Sequence, residues 1–207
     1  MLFRSDETDG ISLFAVEASA AGLTATPERL ADASLASRLS FDGVEVDADA
    51  VIGEVDAGWP ALTRLLNAVA TGASAELLGV GAGAMALTID YLKTRTQFGA
   101  HIGSFQALQH RAAHLYCEME VARAAVLKAQ QLIDAGDPAA QRAVHAAKAM
   151  AGMAAALSVQ EGVQMHGGVG MTDAFDVGLY MKRQRVLAEM FGDADHHADR
   201  LAELSGY

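Results

Sequence analysis

The apolar positions of this chain change period about a quarter of the way along it. Between Ile11 and Glu54 they come in short runs rich in β-branched and aromatic residues: Ile11-Ser-Leu-Phe-Ala-Val16, Leu23-Thr-Ala-Thr26, Leu39-Ser-Phe41 and Val44-Glu-Val46. Gly10, Gly22, Pro27 and Asp42-Gly43 punctuate the runs, and Asp-Gly between apolar segments is a hairpin signal because a tight hairpin turn needs positive φ. The pattern predicts about four strands of an antiparallel sheet.

From Trp59 onward the spacing becomes helical. Pro60 suits a first turn, and Leu62, Leu65, Leu66 and Val69 share one face, which predicts a helix from Trp59 to about Thr94. Gly72, Gly79, Gly81 and Gly83 lie inside it; they lower helix propensity and permit close contact with a neighbouring helix. A second helix is expected from Ser104 as N-cap, through Leu115, Met119 and Val126, to Gly136. Asp137-Pro138 opens a third that runs to about His166; a fourth is expected from Phe175 to Phe191 and a short fifth after Asp193. Long helices joined by short loops favour an antiparallel bundle. The expected fold class is therefore α+β, a partial antiparallel β domain over residues 1–56 followed by a four- to five-helix bundle over residues 57–207. A sheet this small leaves edges and a face to be covered from outside, so an amino-terminal part of a longer protein is expected to be missing. Met1-Leu-Phe-Arg-Ser5 is what a common sequencing adapter would encode and reads as an assembly scar.

Composition narrows the classes. A chain of 207 residues that is 52% hydrophobic is not intrinsically disordered. Its 15 basic and 26 acidic residues give a formal charge of -11, a field that repels nucleic acid and anionic membrane surfaces. Cys117 is the single cysteine, which excludes an internal disulfide and a multi-cysteine metal site and fits a reducing compartment. Apolar runs such as Ala146 to Leu157 are short and interrupted by Lys148, and Arg4, Asp6, Glu7 and Asp9 stand where a signal peptide would be apolar; a cytoplasmic protein is expected.

Three segments carry candidate chemistry. Arg95-Thr-Gln-Phe-Gly99 followed by Ser104-Phe-Gln-Ala-Leu-Gln109 is a polar loop ending at a helix start, where an arginine and free backbone N–H groups suit a phosphate; a solvated loop with an ordinary cap is the alternative. Gln164-Met-His-Gly-Gly-Val-Gly-Met171 closes a helix with more glycines than a C-cap needs, yet it follows a helix and so is not a dinucleotide fingerprint. Phe191-Gly-Asp-Ala-Asp-His-His197 offers Asp193, Asp195, His196 and His197 as metal ligands on paper. Adjacent helical histidines point about 100° apart, so a short helix capped by Asp193 is the better reading and no metal is expected. His101, His110, His114 and His145 read as surface or packing residues.

Taken together, Tyr91-Leu-Lys-Thr-Arg-Thr-Gln-Phe-Gly99, Phe105-Gln-Ala-Leu-Gln109, Gln164-Met-His-Gly-Gly-Val-Gly170 and Tyr180-Met-Lys-Arg183, in that order and spacing, closely resemble the acyl-CoA dehydrogenase family. Gly10-Ile-Ser-Leu-Phe14, Leu39-Ser-Phe-Asp-Gly-Val-Glu-Val46 and Gly58-Trp59 resemble the second half of that family's middle β domain, so the likeness covers nearly the whole chain. The resemblance implies an FAD flavoprotein that desaturates an acyl-CoA thioester, passing electrons to electron-transferring flavoprotein or a similar acceptor. It implies that Arg95 and Gln97 meet the FAD pyrophosphate with Phe98 and Gln106 beside it. It further implies that Gln164, Met165, His166, Gly167 and Gly168 line the adenosine portion of an FAD held mainly by a neighbouring subunit, hence an oligomer. The family's usual base is a glutamate before a glycine after the fourth long helix; Phe191-Gly192 stands there, and the alternative position on the first long helix has no acid between Trp59 and Glu76. Asp193 is the remaining candidate for catalysis. The ending resembles the small subunit of pimeloyl-CoA dehydrogenase and related two-subunit members, in which a partner supplies the carboxylate; a catalytically silent structural subunit is the alternative.

Overall fold

The structure is a computed structural model that describes residues 2–4 and 10–207; Met1 and residues 5–9, which include both ends of the suspected scar, lie outside the described residues. The chain divides into two compact units, Met1–Leu66 and Asn67–Tyr207.

In the first unit, β1 (Leu2–Arg4) pairs antiparallel with β2 (Ile11–Leu13), and β3 (Leu23–Arg29) pairs antiparallel with β4 (Leu35–Phe41), Leu23 standing opposite Phe41. The expected four-stranded sheet is thus two separate ladders among the described residues. Val44-Glu-Val46 is not a strand; the chain runs on to a 3-10 turn at Ala48–Ala50 and meets β2 and the residues just after it through single bonds, Ile52 N to Leu13 O and Ala15 N to Ala50 O, both 2.8 Å. The hairpin turn is also displaced. It lies at residues 30–34, where the Asp32 carboxylate accepts from the Ser34 amide at 3.0 Å and its hydroxyl at 2.6 Å, an Asx turn that lets Ala33 take φ 66°. Gly43 does adopt positive φ, but only after β4 has ended. Leu35 and Leu39 on β4 are 77% and 51% exposed, so this ladder has little core of its own.

Five helices follow. They are α1 (Trp59–Thr94), α2 (Gln106–Asp134), α3 (Ala140–His166), α4 (Val177–Glu189) and α5 (Ala194–Ser205), with a small hairpin of β5 (Thr96–Gln97) and β6 (Ala100–His101) between the first two. Ser104 is not the cap of α2: its hydroxyl donates back to the His101 carbonyl at 2.7 Å inside a 3-10 turn, and Phe105 precedes the helix without a side-chain cap. The fourth helix is shorter than its apolar pattern, because Phe175 packs on Tyr91 and His166 and Met190 turns extended. α1 is long and apolar enough to cross a bilayer by length and composition alone, yet from Ala70 to Leu92 it supplies core.

That core joins Leu77 and Leu78 of α1, Leu115, Met119 and Val126 of α2, Val144, Ala151 and Ala155 of α3, and Leu187 of α4. Small residues set the approach of α1 to α3. A Cβ at Gly81 would stand 2.8 Å from Met119 Cε and 3.2 Å from the Ala155 backbone, and the Ser158 hydroxyl donates to the Gly81 carbonyl at 2.6 Å.

Candidate functional site

The C-terminal end of α3 gathers most of the residues that the sequence singled out. Leu92, Ile102 and Met165 form a small buried cluster with Tyr91, Leu108 and Ala112 against it, which ties the end of α1, the 3-10 turn after β6, the start of α2 and the end of α3 together. Met165 is therefore a packing residue beneath the site. His166 is buried, its Nδ1 bonded to the Gly162 carbonyl at 2.7 Å, and its ring stacks on Tyr91 with centroids 4.4 Å apart while Phe175 meets it edge-on at 5.4 Å. A carbonyl only accepts, so Nδ1 carries the hydrogen. Tyr91 and Phe175 were missed as site residues; the i, i+4 step from Tyr91 to Arg95 was the available signal.

Above this aromatic stack lies a cavity of 470 Å³ lined by Leu87, Asp90, Tyr91, Thr94, Arg95, His166, Ala174, Phe175 and Asp176. The Arg95 guanidinium is exposed and, among the described residues, has no hydrogen-bonded or ionic partner, though Asp90 and Asp176 share its cavity. Among the described residues the Gln97 side chain bonds only its neighbour's carbonyl, Nε2 to Thr96 O at 2.9 Å. Phe98 is 91% exposed at φ 54°, at the tip of the hairpin and edge-on to Phe105. Gln106, Gln164, Gly167 and Gly168 are exposed, and a Cβ at either glycine would meet nothing within 4 Å, so the Gly-Gly backbone is accessible. An unspent cation, free amides, an exposed ring and open backbone form a donor set that fits a phosphate joined to an aromatic base.

The other end of α3 is built differently. The expected cap is present: Asp193 Oδ1 accepts from the His196 amide at 2.8 Å, so part of the candidate base is already engaged in ending a loop. Phe191 takes φ 61° and is 43% exposed. Lys148 on α3, fully buried, donates to the carbonyls of Ala188 and Gly192 at 3.0 and 2.7 Å, and burial pushes its pKa below the usual lysine value against the opposing pull of Asp193 and Glu189. His197 is buried and bridges His145, Nδ1 to Nδ1 at 2.8 Å, and the Phe191 carbonyl, Nε2 to O at 3.0 Å. His145 and Lys148, i and i+3 in an otherwise apolar run, were the sequence's unused signal for this cluster. Among the described residues no three or more His, Cys, Asp or Glu side chains gather as a metal site. Lys148 and His166 are 166 − 148 = 18 residues apart on α3, roughly 27 Å at the helical rise, so this chain does not bring Asp193 to the Arg95 and Gly167 residues.

The family model of the acyl-CoA dehydrogenase C-terminal domain matches residues 56–205. The chain belongs to the acyl-CoA dehydrogenase family. The bovine mitochondrial short/branched chain specific acyl-CoA dehydrogenase is 33% identical over 180 residues, 86% of this chain and 41% of that protein. FadE12 of Mycobacterium tuberculosis, an acyl-CoA dehydrogenase, is 33% identical over 178 residues, covering 84% of this chain and 46% of its own. Butyryl-CoA dehydrogenase from Megasphaera elsdenii superposes with a TM-score of 0.91 at 25% identity over 99% of this chain and 54% of that one. A variant of the Tcur3481-Tcur3483 steroid ACAD does so with a TM-score of 0.83 at 30% identity, over 95% of this chain and 52% of that one. This acyl-CoA dehydrogenase chain thus spans about half the length of the relatives it matches.

Proposed function

We propose that the chain is the carboxy-terminal part of an FAD-dependent acyl-CoA dehydrogenase, working as one subunit of a two-component enzyme that desaturates an acyl-CoA thioester. Acyl-CoA dehydrogenases are FAD-dependent, and the flavin supplies the acceptor for the hydrogen that leaves Cβ as hydride. This chain's own part is to bind and orient. Arg95 holds a pyrophosphate through charge-assisted hydrogen bonds, Gln97 and Gln106 add amide donors, and Phe98 covers the ligand's flank from the hairpin tip. Gln164 and the Gly167-Gly168 backbone take the adenosine side, while Met165 and His166 set that turn from beneath.

The observation that carries this reading is the Arg95 guanidinium, exposed and without a partner among the described residues beside an accessible glycine turn, in a chain of net charge -11. The base is assigned to the partner subunit, because Phe191 cannot take a proton and Asp193 serves as a helix cap. Residues 1–56 are then the remnant of the β domain and residues 57–207 the helical domain, in a cytoplasmic hetero-oligomer that delivers electrons to electron-transferring flavoprotein or a similar acceptor. The steroid ACAD among the structural neighbours makes a bulky acyl-CoA the first substrate class to try.

The test is the visible spectrum of the full-length protein, alone and co-produced with the product of its neighbouring gene, before and after anaerobic addition of acyl-CoA. Flavin bleaching only with both chains supports the split site; bleaching by this chain alone contradicts it. A second reading, a silent subunit that stabilises an active partner, is favoured by Phe191 at the base position and predicts that Arg95→Gln leaves flavin content unchanged.

A further inference from the structure

Polar and apolar groups are inverted around the α4–α5 turn. Met190 and Phe191 face outward, 37% and 43% exposed, while Lys148 and His197 lie inside at 0% and 3%. What the buried groups hold is backbone: Lys148 Nζ donates to Ala188 O and Gly192 O, and His197 Nε2 donates to Phe191 O. These bonds turn the carbonyls inward and keep Phe191 and Gly192 at φ 61° and 100°. Positive φ disfavours a phenylalanine and persists only where surrounding structure over-determines it. Any other residue at position 192 would be strained, by φ 100° and by a Cβ that would stand 2.4 Å from the His196 ring.

The hydrogen positions follow from the partners. A carbonyl only accepts, so His197 Nε2 bears a hydrogen; in the neutral ring its Nδ1 is then bare and accepts from Nδ1–H of His145. A proton added to His197 would set one Nδ1–H against the other at 2.8 Å, and the pair separates unless His145 gives up its own Nδ1 hydrogen. The charged and titratable groups acting on this pair and on Lys148 are Glu189 at the end of α4, Asp193 in the turn, and His196 and Arg200 on α5.

We infer that His145, His197 and Lys148 form a proton-sensitive latch, closed when both imidazoles are neutral, that fixes the Phe191–Gly192–Asp193 turn and thereby presents Phe191. Lys148 and His197 are buried and His145 is half-buried, and none of the three lines the Arg95 cavity or the Gly167 turn, so the latch stands apart from the flavin reading. Burial pushes His197 down to about 4 and His145 below its ordinary value, which keeps the latch closed near neutrality and opens it as the pH falls toward 4. His197 and His145 are positioning residues in this account; neither is assigned contact with a substrate.

Amide hydrogen exchange on the full-length protein tests it, with rates corrected for intrinsic pH dependence at pH 7.5 and pH 4.5. The expected result is at least tenfold faster exchange over residues 190–197 at the lower pH, with α2 amides unchanged. His197→Gln, which still donates to the Phe191 carbonyl but does not titrate, is expected to abolish that difference, and Lys148→Met to raise exchange in the turn at both pH values. Equal turn exchange at the two pH values, opening of α2 together with the turn, or a pH response that survives in His197→Gln would each overturn the latch. Should a variant not fold, the histidine ring nitrogens of the wild-type protein decide by NMR: an Nε2–H tautomer for His197 titrating below pH 5 is expected, and ordinary titration near 6.5 contradicts it.

Discussion

The two ends of α3 treat their polar groups in opposite ways. At the His166 end, Arg95, Gln97, Gln106 and Gln164 are exposed and mostly unspent, standing on an aromatic and aliphatic floor. At the Lys148 end, Lys148 and His197 are buried and committed to the chain's own carbonyls, with the half-buried His145 bonded to the His197 ring. Left exposed and unspent, the first set is available to an outside ligand. Satisfied from within, the second shapes backbone instead.

The sharpest way to break this contrast is to remove the buried amine. Lys148→Met keeps the packing and strands the Ala188 and Gly192 carbonyls, so we expect a loss of about 2–4 kcal/mol in urea unfolding. A loss below about 1 kcal/mol would mean that water or a shifted turn satisfies those carbonyls.

Next in size is a pH effect. The folded His197 titrates at about 4 against 6.5 unfolded, so the unfolded chain binds more protons between these values. Stability therefore rises with pH through that window and falls as pH drops from 6.5 toward 4, by up to roughly 3 kcal/mol. Carboxylates titrate in the same range, so the quantity to measure is the wild type minus His197→Gln difference, which should shrink as the pH falls.

Much of this was legible in the sequence, and the failures have physical causes. The helices α1, α2 and α3 were visible because long, strongly periodic segments carry their own punctuation at Trp59-Pro60, Gly136, Asp137-Pro138 and the glycines after His166, although α3 itself starts at Ala140, after the proline. The hairpin was misplaced because Asp42-Gly43 has the right turn chemistry, whereas Asp32 and Ser34 make an equally good turn from side-chain bonds that a dipeptide rule does not count. Val44 to Val46 fail as a strand because β-propensity needs a neighbouring strand to pair with. The residues around Arg95 and His166 were found by motif, while the stack of Tyr91, His166 and Phe175 depends on three separate segments meeting. His145 and His197 lie 52 positions apart, and no local pattern joins them.

Smaller effects sharpen the assignment of Asp193. Asp193→Ala should cost about 1 kcal/mol through loss of the cap, whereas Asp193→Asn keeps a capping oxygen and should change stability by less than about 0.5 kcal/mol. In the assembled enzyme Asp193→Asn should leave turnover within about twofold, since a residue that only caps a helix supplies no step of proton transfer. A loss of about a hundredfold or more, with stability intact, would return Asp193 to the role of base.

An equally small stability effect is expected at Arg95, the residue on which the functional account rests. Arg95→Gln should change unfolding by no more than about 0.5 kcal/mol, because the guanidinium is exposed and has no partner among the described residues. The decisive measurement is the flavin affinity of the native assembly purified with wild-type protein and with Arg95→Gln. The account predicts a loss of about tenfold or more in FAD affinity, the equivalent of about 1.4 kcal/mol, with the fold unchanged. Equal flavin affinity in the two assemblies would contradict it and leave this chain as the silent partner.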